Sequence, residues 1–427
     1  MAVNSLKHKP TGAVSALDHD LSVLHTPSEN NPFSEKTNAA NAARTASVSR
    51  LELWAARIGF FTGGFTVASW APLIPFVQSN LALEPYVLGI LLLGLGVGSF
   101  VGMPLAGALT QKVGARNAIA VSGLASCLLL VLLALMPGFY FECAALLAYG
   151  VALGCLEVSV NIYGTYLENK KKGRLMSGLH AAYSIGEVAS AAALTALFVM
   201  GASPLTAVGT LMLVLSIALI AVLRRIKNER IAAPKKEKTG KVSFKLTGPI
   251  GILAVICGII FLTEGAMLDW SAIYLRDNAG VAQEASASGY TLFVIAMALS
   301  RLVGDRLTTK LGPQTILVSG VLMITVMLAA LVFLPTPAVA FVSLFVMGLG
   351  IANLAPILIS AASRNKTMES VKAITAVTTV GYGGLLAGPA LIGAISSAIS
   401  LQGAFLFICV LLVTGLFLIR RHRAVFN

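Results

Sequence analysis

The chain has few charged residues. Asp, Glu, Lys and Arg make up only 11% of its 427 residues, whereas soluble domains contain about 25%. It is 57% hydrophobic, with a mean hydropathy of +0.85. A soluble core cannot use this much apolar surface, but a protein embedded in lipid can. The scarcity of charge therefore excludes an ordinary soluble domain and indicates an integral membrane protein.

The sequence also lacks the motifs of an enzyme or an ATP-driven pump. It contains no H-E-x-x-H, no Gly-x-Ser-x-Gly and no phosphate-binding loop. The cysteines show no metal-ligand spacing, and we predict that they pack as small residues: Cys127, Cys143, Cys155, Cys257 and Cys409. We therefore expect no catalytic residue, metal or cofactor, and keep a non-transporting solute sensor as an alternative.

About twelve apolar stretches of roughly 20 residues can each cross a ~30 Å hydrocarbon core. All should be helices, because unpaired backbone groups are too costly in lipid. The forty glycines suit the close packing of such helices. The predicted spans are 54–79, 87–109, 117–136, 141–166, 174–200, 204–223, 249–275, 286–309, 314–334, 338–363, 371–397 and 401–420.

The net charge of +13 invites a nucleic-acid interpretation, but the distribution of the charge argues against one. Basic residues fall in alternate loops, including 170–174, 224–245 and 420–423, while the intervening loops contain few. This positive-inside pattern places both termini in the cytoplasm and requires an even number of spans. Residues 1–50 are polar and lack an apolar signal-peptide core, so we expect a disordered cytoplasmic tail.

An internal repeat divides the chain into two parallel halves. The segment "GALTQKVG" at 107–114 matches "DRLTTKLG" at 305–312, and "ASWAPLIPF" at 68–76 matches "LDWSAIYLR" at 268–276. Gly154 and Gly350 begin comparable stretches. We predict six-helix halves at 51–223 and 249–421, joined by a basic cytoplasmic linker at 224–248 and followed by a short tail at 422–427.

The segment "GALTQKVGAR" resembles the loop motif G-x-L-x-D-[RK]-x-G-x-[RK] of the major facilitator superfamily, except that Gln111 replaces the acid. The resemblance covers roughly residues 54–421. It implies an all-α integral membrane protein with twelve transmembrane helices in two pseudo-symmetric halves. It also implies gating roles for residues of this loop and its second copy: Gly107, Lys112, Gly114, Arg116, Asp305 and Arg306.

A narrower likeness comes from segments including "EVSVN" at 157–161, "LHAAYSIG" at 179–186 and "TEGAMLDW" at 263–270. They resemble a bacterial inner-membrane subgroup near the fucose permeases. This resemblance implies a multi-pass protein of the inner membrane that handles small polar solutes.

Two acids, Glu264 and Asp269, lie in an apolar stretch that begins near residue 249. Charges inside a bilayer are costly and tend to face a cavity or a partner. Removal from water favours the neutral form of a carboxyl group, which makes Glu264 the stronger proton-carrier candidate. Five residues turn a helix by about 140°, so the two acids are predicted not to share one face. Asp269 is also predicted as a proton-coupling residue, with a place in interfacial water or at a helix cap as the alternative.

Other polar residues inside predicted spans are candidates too, with structural hydrogen bonds between helices as their alternative. Glu157 and Asn161 lie one turn apart in the fourth span. Asn353 is assigned as the second-half counterpart of Glu157. We predict proton coupling by Glu157 and solute contacts by the two amides.

The fifth span carries His180, Tyr183 and Glu187 at helical spacing, which places all three on one stripe. His180 has an intrinsic pKa that suits proton transfer, although a solvated gate residue is the alternative. Tyr382 matches Tyr183 in the eleventh span. We predict proton coupling by His180 and Glu187, and solute contacts by both tyrosines.

Arg301 is an arginine well inside a predicted span and needs a carboxylate, an anionic ligand or water. Asp305, four residues on, is its simplest partner; solute binding is the functional interpretation. Trp70 and Trp270 are repeat counterparts that either stack on a solute or belong to the interfacial aromatic belt.

These residues favour a secondary transporter that uses protons to move a small polar solute, sugar-like or a related metabolite, across the inner membrane by alternating access. The alternative is a proton-driven efflux pump for an amphipathic drug or natural product. Against efflux, the fifth span lacks the G-x-x-x-G-P-x-x-G-G pattern of drug antiporters in this superfamily. The expected partners are the solute, protons and the lipid bilayer, with no nucleic acid, and a monomer is sufficient.

Overall fold

The structure is a computed structural model that describes residues 48–171, 175–231, 248–364, 368 and 370–425. In these residues the regular secondary structure is helical, without strands. Most of the predicted tail, up to residue 47, lies outside the described part of the chain, as do positions 172–174 and most of the predicted linker, 232–247.

Twelve helices in the described residues are long and apolar enough to cross a membrane. They are α1 (Arg50–Asn80), α2 (Pro85–Val113), α3 (Ala115–Leu133), α4 (Phe139–Lys171), α5 (Met176–Val199), α6 (Pro204–Leu223), α7 (Gly248–Asp277), α8 (Gln283–Leu311), α9 (Pro313–Phe333), α10 (Pro337–Arg364), α11 (Ser370–Ala398) and α12 (Leu401–Arg421). Each predicted span overlaps one helix, which confirms the all-α fold. The ends differ most at α4, which continues to Lys171 as a polar helix beyond its apolar stretch.

Two spans are not continuous α-helices. In α1 a 3-10 turn, Ala71–Leu73, contains Pro72 and precedes a short second segment. In α10 the helix is interrupted between Ile351 and Leu354, at Ala352 and Asn353. Backbone groups that lack their helical hydrogen bonds are tolerated within the membrane where they are buried in protein or line a water-filled cavity.

Single glycines connect α2 to α3 and α8 to α9. Gly114 has φ +86° and ψ 156°, and Gly312 has φ +84° and ψ 149°. This backbone region is open essentially only to glycine. The two sharp connections are equivalent in sequence and geometry, so the repeat seen in the sequence is also a repeat of local structure.

The helices pack in pairs that recur in both halves. The pair α1–α5 corresponds to α7–α11, α2–α4 to α8–α10, and α3–α6 to α9–α12. Small residues allow the close approach: a Cβ at Gly150 would meet the Leu95 carbonyl, and one at Gly348 would meet the Phe293 carbonyl. The two halves meet through α2 against α11 and α5 against α8.

We call the side of the bundle that carries Lys112, Lys170 and Arg224 the basic side, and the other the far side. Hydrogen bonds join the two halves on the far side. The Arg276 guanidinium donates to the Pro75 carbonyl (2.9 Å) and to Gln78 Oε1 (2.7 Å). Further bonds there are Ser79 to Gln283, the Tyr86 amide to Ser397, and Thr195 to Thr291. These contacts hold the halves together at the far side.

Candidate functional site

A cavity of about 710 Å³ lies between the two halves. Its walls come from both halves, with contributions from α1, α2, α4, α5, α7, α8 and α11. Most lining side chains are apolar, including Leu92, Phe100 and Met297. A largely apolar wall with a few placed polar groups is the usual composition of a small-molecule site.

Four carboxylates line this central cavity. Glu157 and Glu187 come from the first half, while Glu264 and Asp269 come from α7 in the second half. Among the described lining residues, Arg301 of α8 is the one Lys or Arg side chain. Acids therefore outnumber the basic group, so binding of protons or of a cationic group would reduce the electrostatic cost of the site.

Arg301 lies nearest to Glu264 within this group. Its guanidinium nitrogen is 3.9 Å from Glu264 Oε1, and the two side chains are 43% and 18% exposed. Glu187 is also close enough to interact electrostatically with both. The ion pair is long, and both of its side chains line the central cavity. Asp305, the partner expected from sequence, lies on α8 among the residues whose side chains the structure does not describe.

Glu157 is anchored by a residue of the next helix. The Tyr183 hydroxyl donates to Glu157 Oε1 at 2.8 Å. Tyr183 is positioned by the glycines of α1, since a Cβ at Gly63 would lie 3.1 Å from its ring and one at Gly64 would meet its carbonyl. The predicted pair of Glu157 and Asn161 is one turn apart, and Asn161 Nδ2 donates back to the Glu157 carbonyl at 2.7 Å.

Glu264 and Asp269, which were predicted not to share one face of α7, are both in contact with the same cavity. Both line the central cavity, together with Gly265 and Leu268 between them. A separation of about 140° around the helix is therefore compatible with one cavity.

The predicted aromatic residues fall in different places. Trp70 and Tyr382 line the central cavity. Trp70 is 1% exposed near the far side, whereas Tyr382 is 52% exposed and contacts Phe261 edge-on at 5.4 Å. Trp270 is fully buried outside the lining, and its indole nitrogen has no hydrogen-bond partner among the described residues.

His180 and Asn353 also lie outside the lining of the central cavity. The imidazole of His180 packs edge-on against Phe60 at 5.2 Å. Of the predicted stripe on α5, Glu187 lines the central cavity, whereas His180 and Tyr183 do not. Asn353 Nδ2 donates to the carbonyl (3.2 Å) and the hydroxyl (3.0 Å) of Ser300. Its surroundings are those of a helix-packing contact.

The contacts of Asn353 also correct its place in the repeat. Cys155 Sγ lies 3.1 Å from the Gly102 carbonyl, which is the same helix contact in the first half. An offset of 198 residues relates Cys155 to Asn353 and also relates the two glycine connections. The counterpart of Glu157 is therefore Ala355, because the stretches that begin at Gly154 and Gly350 are out of register by two residues.

The predicted gating loop is tied to the segment that follows α6. Asn228 Nδ2 donates to the Val113 carbonyl (2.6 Å), and the Ala115 amide donates to the Glu229 carbonyl (2.8 Å). Arg116 donates to the Ile226 carbonyl (3.3 Å). Gly107 is half-buried and Lys112 is exposed on α2, while Arg306 is exposed on α8.

Sequence reasoning left out several residues that the fold brings to the site. Tyr290, Thr378 and Thr379 line the central cavity, and Tyr290 is 5% exposed. Polar side chains in apolar spans were the available signal for all three. No local signal pointed to Asn228, whose partner lies more than a hundred residues away in the chain.

The central cavity ends at buried residues on the far side and extends to exposed ones towards the basic side. Trp70 and Tyr290 are nearly inaccessible, whereas Phe100 and Tyr382 are 71% and 52% exposed. The Arg301 side chain is also accessible. The arrangement is thus a chamber that is closed on the far side, open towards the basic side and charged in its interior. Its size and its lining suit a small molecule.

Comparisons with known proteins identify the family of the chain. A family model described as Major Facilitator Superfamily matches residues 57–384. An uncharacterised MFS-type transporter of Yersinia pestis is 36% identical over 358 residues, which cover 84% of this chain and 92% of that protein. The membrane protein MosC of Rhizobium meliloti is 29% identical over 387 residues, which cover 90% and 92%.

Solved structures share the fold at low sequence identity. A point-mutant form of the nucleoside transporter NupG is 14% identical with a TM-score of 0.71, covering 88% of this chain and all of that one. A bacterial homologue of the human lysosomal transporter Spinster, in an inward-facing and unoccupied conformation, gives a TM-score of 0.68 at 14% identity and covers 89% and 98%. At 14% identity these similarities show a shared fold and nothing further about this chain.

Proposed function

Because the chain belongs to the major facilitator superfamily and is a multi-pass membrane transporter, we propose that it carries a small polar solute by alternating access coupled to protons. The observation that supports this proposal is the group of charged side chains between the halves. Glu157, Glu187, Glu264 and Arg301 come from four helices and line one cavity. Intramembrane ionisable groups of this kind mark solute and proton pathways in transporters.

The proposed coupling site is Glu264. It lies on α7 beside the cavity, and its basic neighbour among the described residues is Arg301 at 3.9 Å. A proton on Glu264 would remove a negative charge from the site and free Arg301 to bind the solute. Closing the cavity around a neutral carboxyl group costs less than closing it around an ion. Glu157, Glu187 and Asp269 are the further proton-site candidates, since they line the same cavity.

We assign the basic side to the cytoplasm, in line with the positive-inside pattern. The cavity described above is then open to the cytoplasm, with both termini on that side and the inner membrane as the bilayer. Transport would require the contacts of Arg276 and its partners on the far side to separate while the basic side closes.

Efflux of an amphipathic compound is the second candidate, and the apolar majority of the cavity wall favours it. Leu92, Phe100, Leu153 and Met297 offer a surface that an amphipathic molecule would cover. The acids would then select a cation. The two candidates differ in the ligand, which a binding measurement decides.

A ligand-induced thermal-shift screen of the purified protein tests the proposal. One panel contains sugars, amino sugars, small peptides and organic acids, and the other contains amphipathic cations and antibiotics. Stabilisation by a member of the first panel is the expected result. Stabilisation only by the second panel would make efflux the leading function.

Flux driven by a pH gradient then tests coupling, with the stabilising solute in proteoliposomes. We expect Glu264→Gln to lose accumulation against a gradient while retaining counterflow, because an amide binds no proton at these pH values. Glu284→Gln is the matched control, since Glu284 is exposed on the far side and outside the cavity. Accumulation by Glu264→Gln at the normal level would contradict the coupling role.

A further inference from the structure

A second cavity, of about 600 Å³, runs along α4 next to the central cavity. We call it the α4 groove. Glu157 and Met103 line both cavities, so the two spaces adjoin at these residues. Ile231, from the segment after α6, lies at the other end of the groove.

Polar side chains form one wall of the α4 groove. Glu157, Asn161, Thr165 and Asn169 recur every four residues, and Tyr166 lies beside them. Residues four apart lie on one face of a helix, and twelve residues span about 18 Å. Thr165 and Asn169 are exposed, whereas Glu157 and Asn161 are half-buried. The wall therefore runs from the middle of the bundle towards the basic side.

The groove is large enough to contain water, and its polar groups are concentrated on one wall, while Val158, Ile162 and Ile231 contribute apolar surface. At ~30 Å³ per molecule in the liquid, its volume corresponds to on the order of twenty water molecules. A buried water needs two to four polar partners, and amide, hydroxyl and phenol groups occur at each turn of this wall. A purely apolar cavity would tend to stay dry.

Glu157 is the deepest titratable group that the groove reaches. The Tyr183 hydroxyl is bonded to it, and Tyr149 on its own helix, Glu187 on α5 and Tyr382 on α11 are close enough to interact electrostatically. No Lys or Arg is among these described neighbours. The α4 groove thus reaches this carboxylate, whereas Arg301 lines the central cavity and not the groove.

We propose that the α4 groove is a hydrated route from the basic side to Glu157, by which protons and small hydrophilic molecules reach this carboxylate without crossing the central cavity. Glu157 would then exchange its proton through its own path, separately from Glu264. This inference concerns access only, and its test needs no transported solute. It can therefore succeed or fail independently of the proposed function.

The first experiment measures whether the wall is wet. The protein is placed in lipid nanodiscs, and a membrane-impermeant methanethiosulfonate reagent is applied to Asn161→Cys and Thr165→Cys. Thr414→Cys is the matched control: Thr414 is also an exposed helix hydroxyl, but it lies among exposed Val410, Val413 and Phe417 on α12. We expect both groove positions to react at least tenfold faster than Thr414→Cys. Equal rates would overturn the proposal.

The second experiment measures access to Glu157 itself. A water-soluble carbodiimide with glycine ethyl ester modifies reachable carboxyl groups, and peptide mass spectrometry reports each site. The double variant Asn161→Leu/Thr165→Val keeps the volume of the wall similar but removes its polarity. We expect several-fold less modification of Glu157 and unchanged modification of Glu264. Thr325→Val, a hydroxyl change outside both cavities, is the control.

Each outcome of the carbodiimide experiment has one meaning. Unchanged modification of Glu157 in the double variant would show that this carboxylate is reached through the central cavity, which overturns the proposal. An equal loss at Glu157 and Glu264 would also overturn it, since one shared path would then serve both. If the double variant is unstable, Asn161→Leu alone is used, with Asn161→Ser expected to restore modification.

Discussion

Helices α4 and α10 occupy equivalent places in the two halves but present different surfaces. At the offset of 198 residues, Glu157, Asn161 and Thr165 of α4 correspond to Ala355, Ile359 and Ser363 of α10. The α4 helix is continuous, whereas α10 is interrupted at Ala352 and Asn353. The halves thus share a scaffold, whereas the carboxylate Glu157 and the amide Asn161 of the first half are replaced by apolar residues in the second.

The scaffold contacts themselves are retained between α4 and α10. Gly150 and Gly348 both face a carbonyl of the neighbouring helix, and Cys155 and Asn353 both bond to one. Helix packing depends on small size and on backbone approach, which many side chains satisfy. The position two residues after Cys155 and Asn353 is free of that constraint. It can therefore be a carboxylate in one half, Glu157, and a methyl group in the other, Ala355.

The largest predicted effect is on transport and comes from a substitution at Glu157. Glu157→Gln keeps the shape of the side chain and an acceptor for Tyr183, but it cannot carry a proton. We expect solute accumulation driven by a pH gradient to fall by about tenfold or more, which corresponds to ~1.4 kcal/mol or more. The thermal unfolding midpoint should change little.

Asn353→Ala is the matching substitution in the second half, and we expect it to affect stability and not transport. It removes two hydrogen bonds to Ser300, which should cost about 1–2 kcal/mol of stability and lower the unfolding midpoint, while flux per folded molecule is retained. The opposite pattern, in which Glu157→Gln unfolds the protein and Asn353→Ala stops flux, would reverse the assignment of the two helices.

The two glycine connections provide a comparison of intermediate size. Gly114→Ala and Gly312→Ala both place a methyl group in a backbone region that costs on the order of 1–3 kcal/mol for other residues. At Gly114 the new Cβ would also collide with the Asn228 side chain, whereas nothing lies within 4 Å at Gly312. We expect a larger fall in the unfolding midpoint for Gly114→Ala. Equal falls would mean that backbone strain accounts for both.

The smallest predicted effect concerns the docking of the segment after α6. Asn228→Ala removes the bond to the Val113 carbonyl and should destabilise the protein by about 1 kcal/mol. Lys227→Ala, at the exposed neighbouring position, is the control. In a double-mutant cycle, Asn228→Ala should relieve part of the cost of Gly114→Ala; strict additivity would show that the predicted collision does not occur.

Much of the fold was accessible from one-dimensional features. Runs of about twenty apolar residues located the twelve spans, and glycines with matching neighbours marked both sharp connections. Depth along a helix also placed Glu157, Glu187 and Glu264 inside the bundle. These inferences work because a bilayer requires long apolar helices and makes isolated charges costly. Both the apolar runs and the rare charges within them can be recognised in the sequence.

The partners of these side chains could not be obtained in the same way. The ion pair of Arg301 with Glu264 joins α8 to α7 and was not predicted, while the expected contact of Arg301 with Asp305 lies outside the described side chains. Asn353 was expected beside a pore and contacts Ser300 instead. Periodicity gives the direction of a side chain relative to its own helix axis, but it does not say which helix lies in that direction.

Amino-acid composition and spacing thus showed that the protein is embedded in lipid, how many helices cross the bilayer, and how deep the charged residues lie. Each of these properties depends on one helix at a time. The tertiary structure decided which charges share a cavity, that Tyr183 bonds to Glu157, and that Glu157 and Asn161 line a groove along α4. Those outcomes depend on the rotation of each helix against its neighbours. That rotation results from small-residue contacts between segments far apart in the chain.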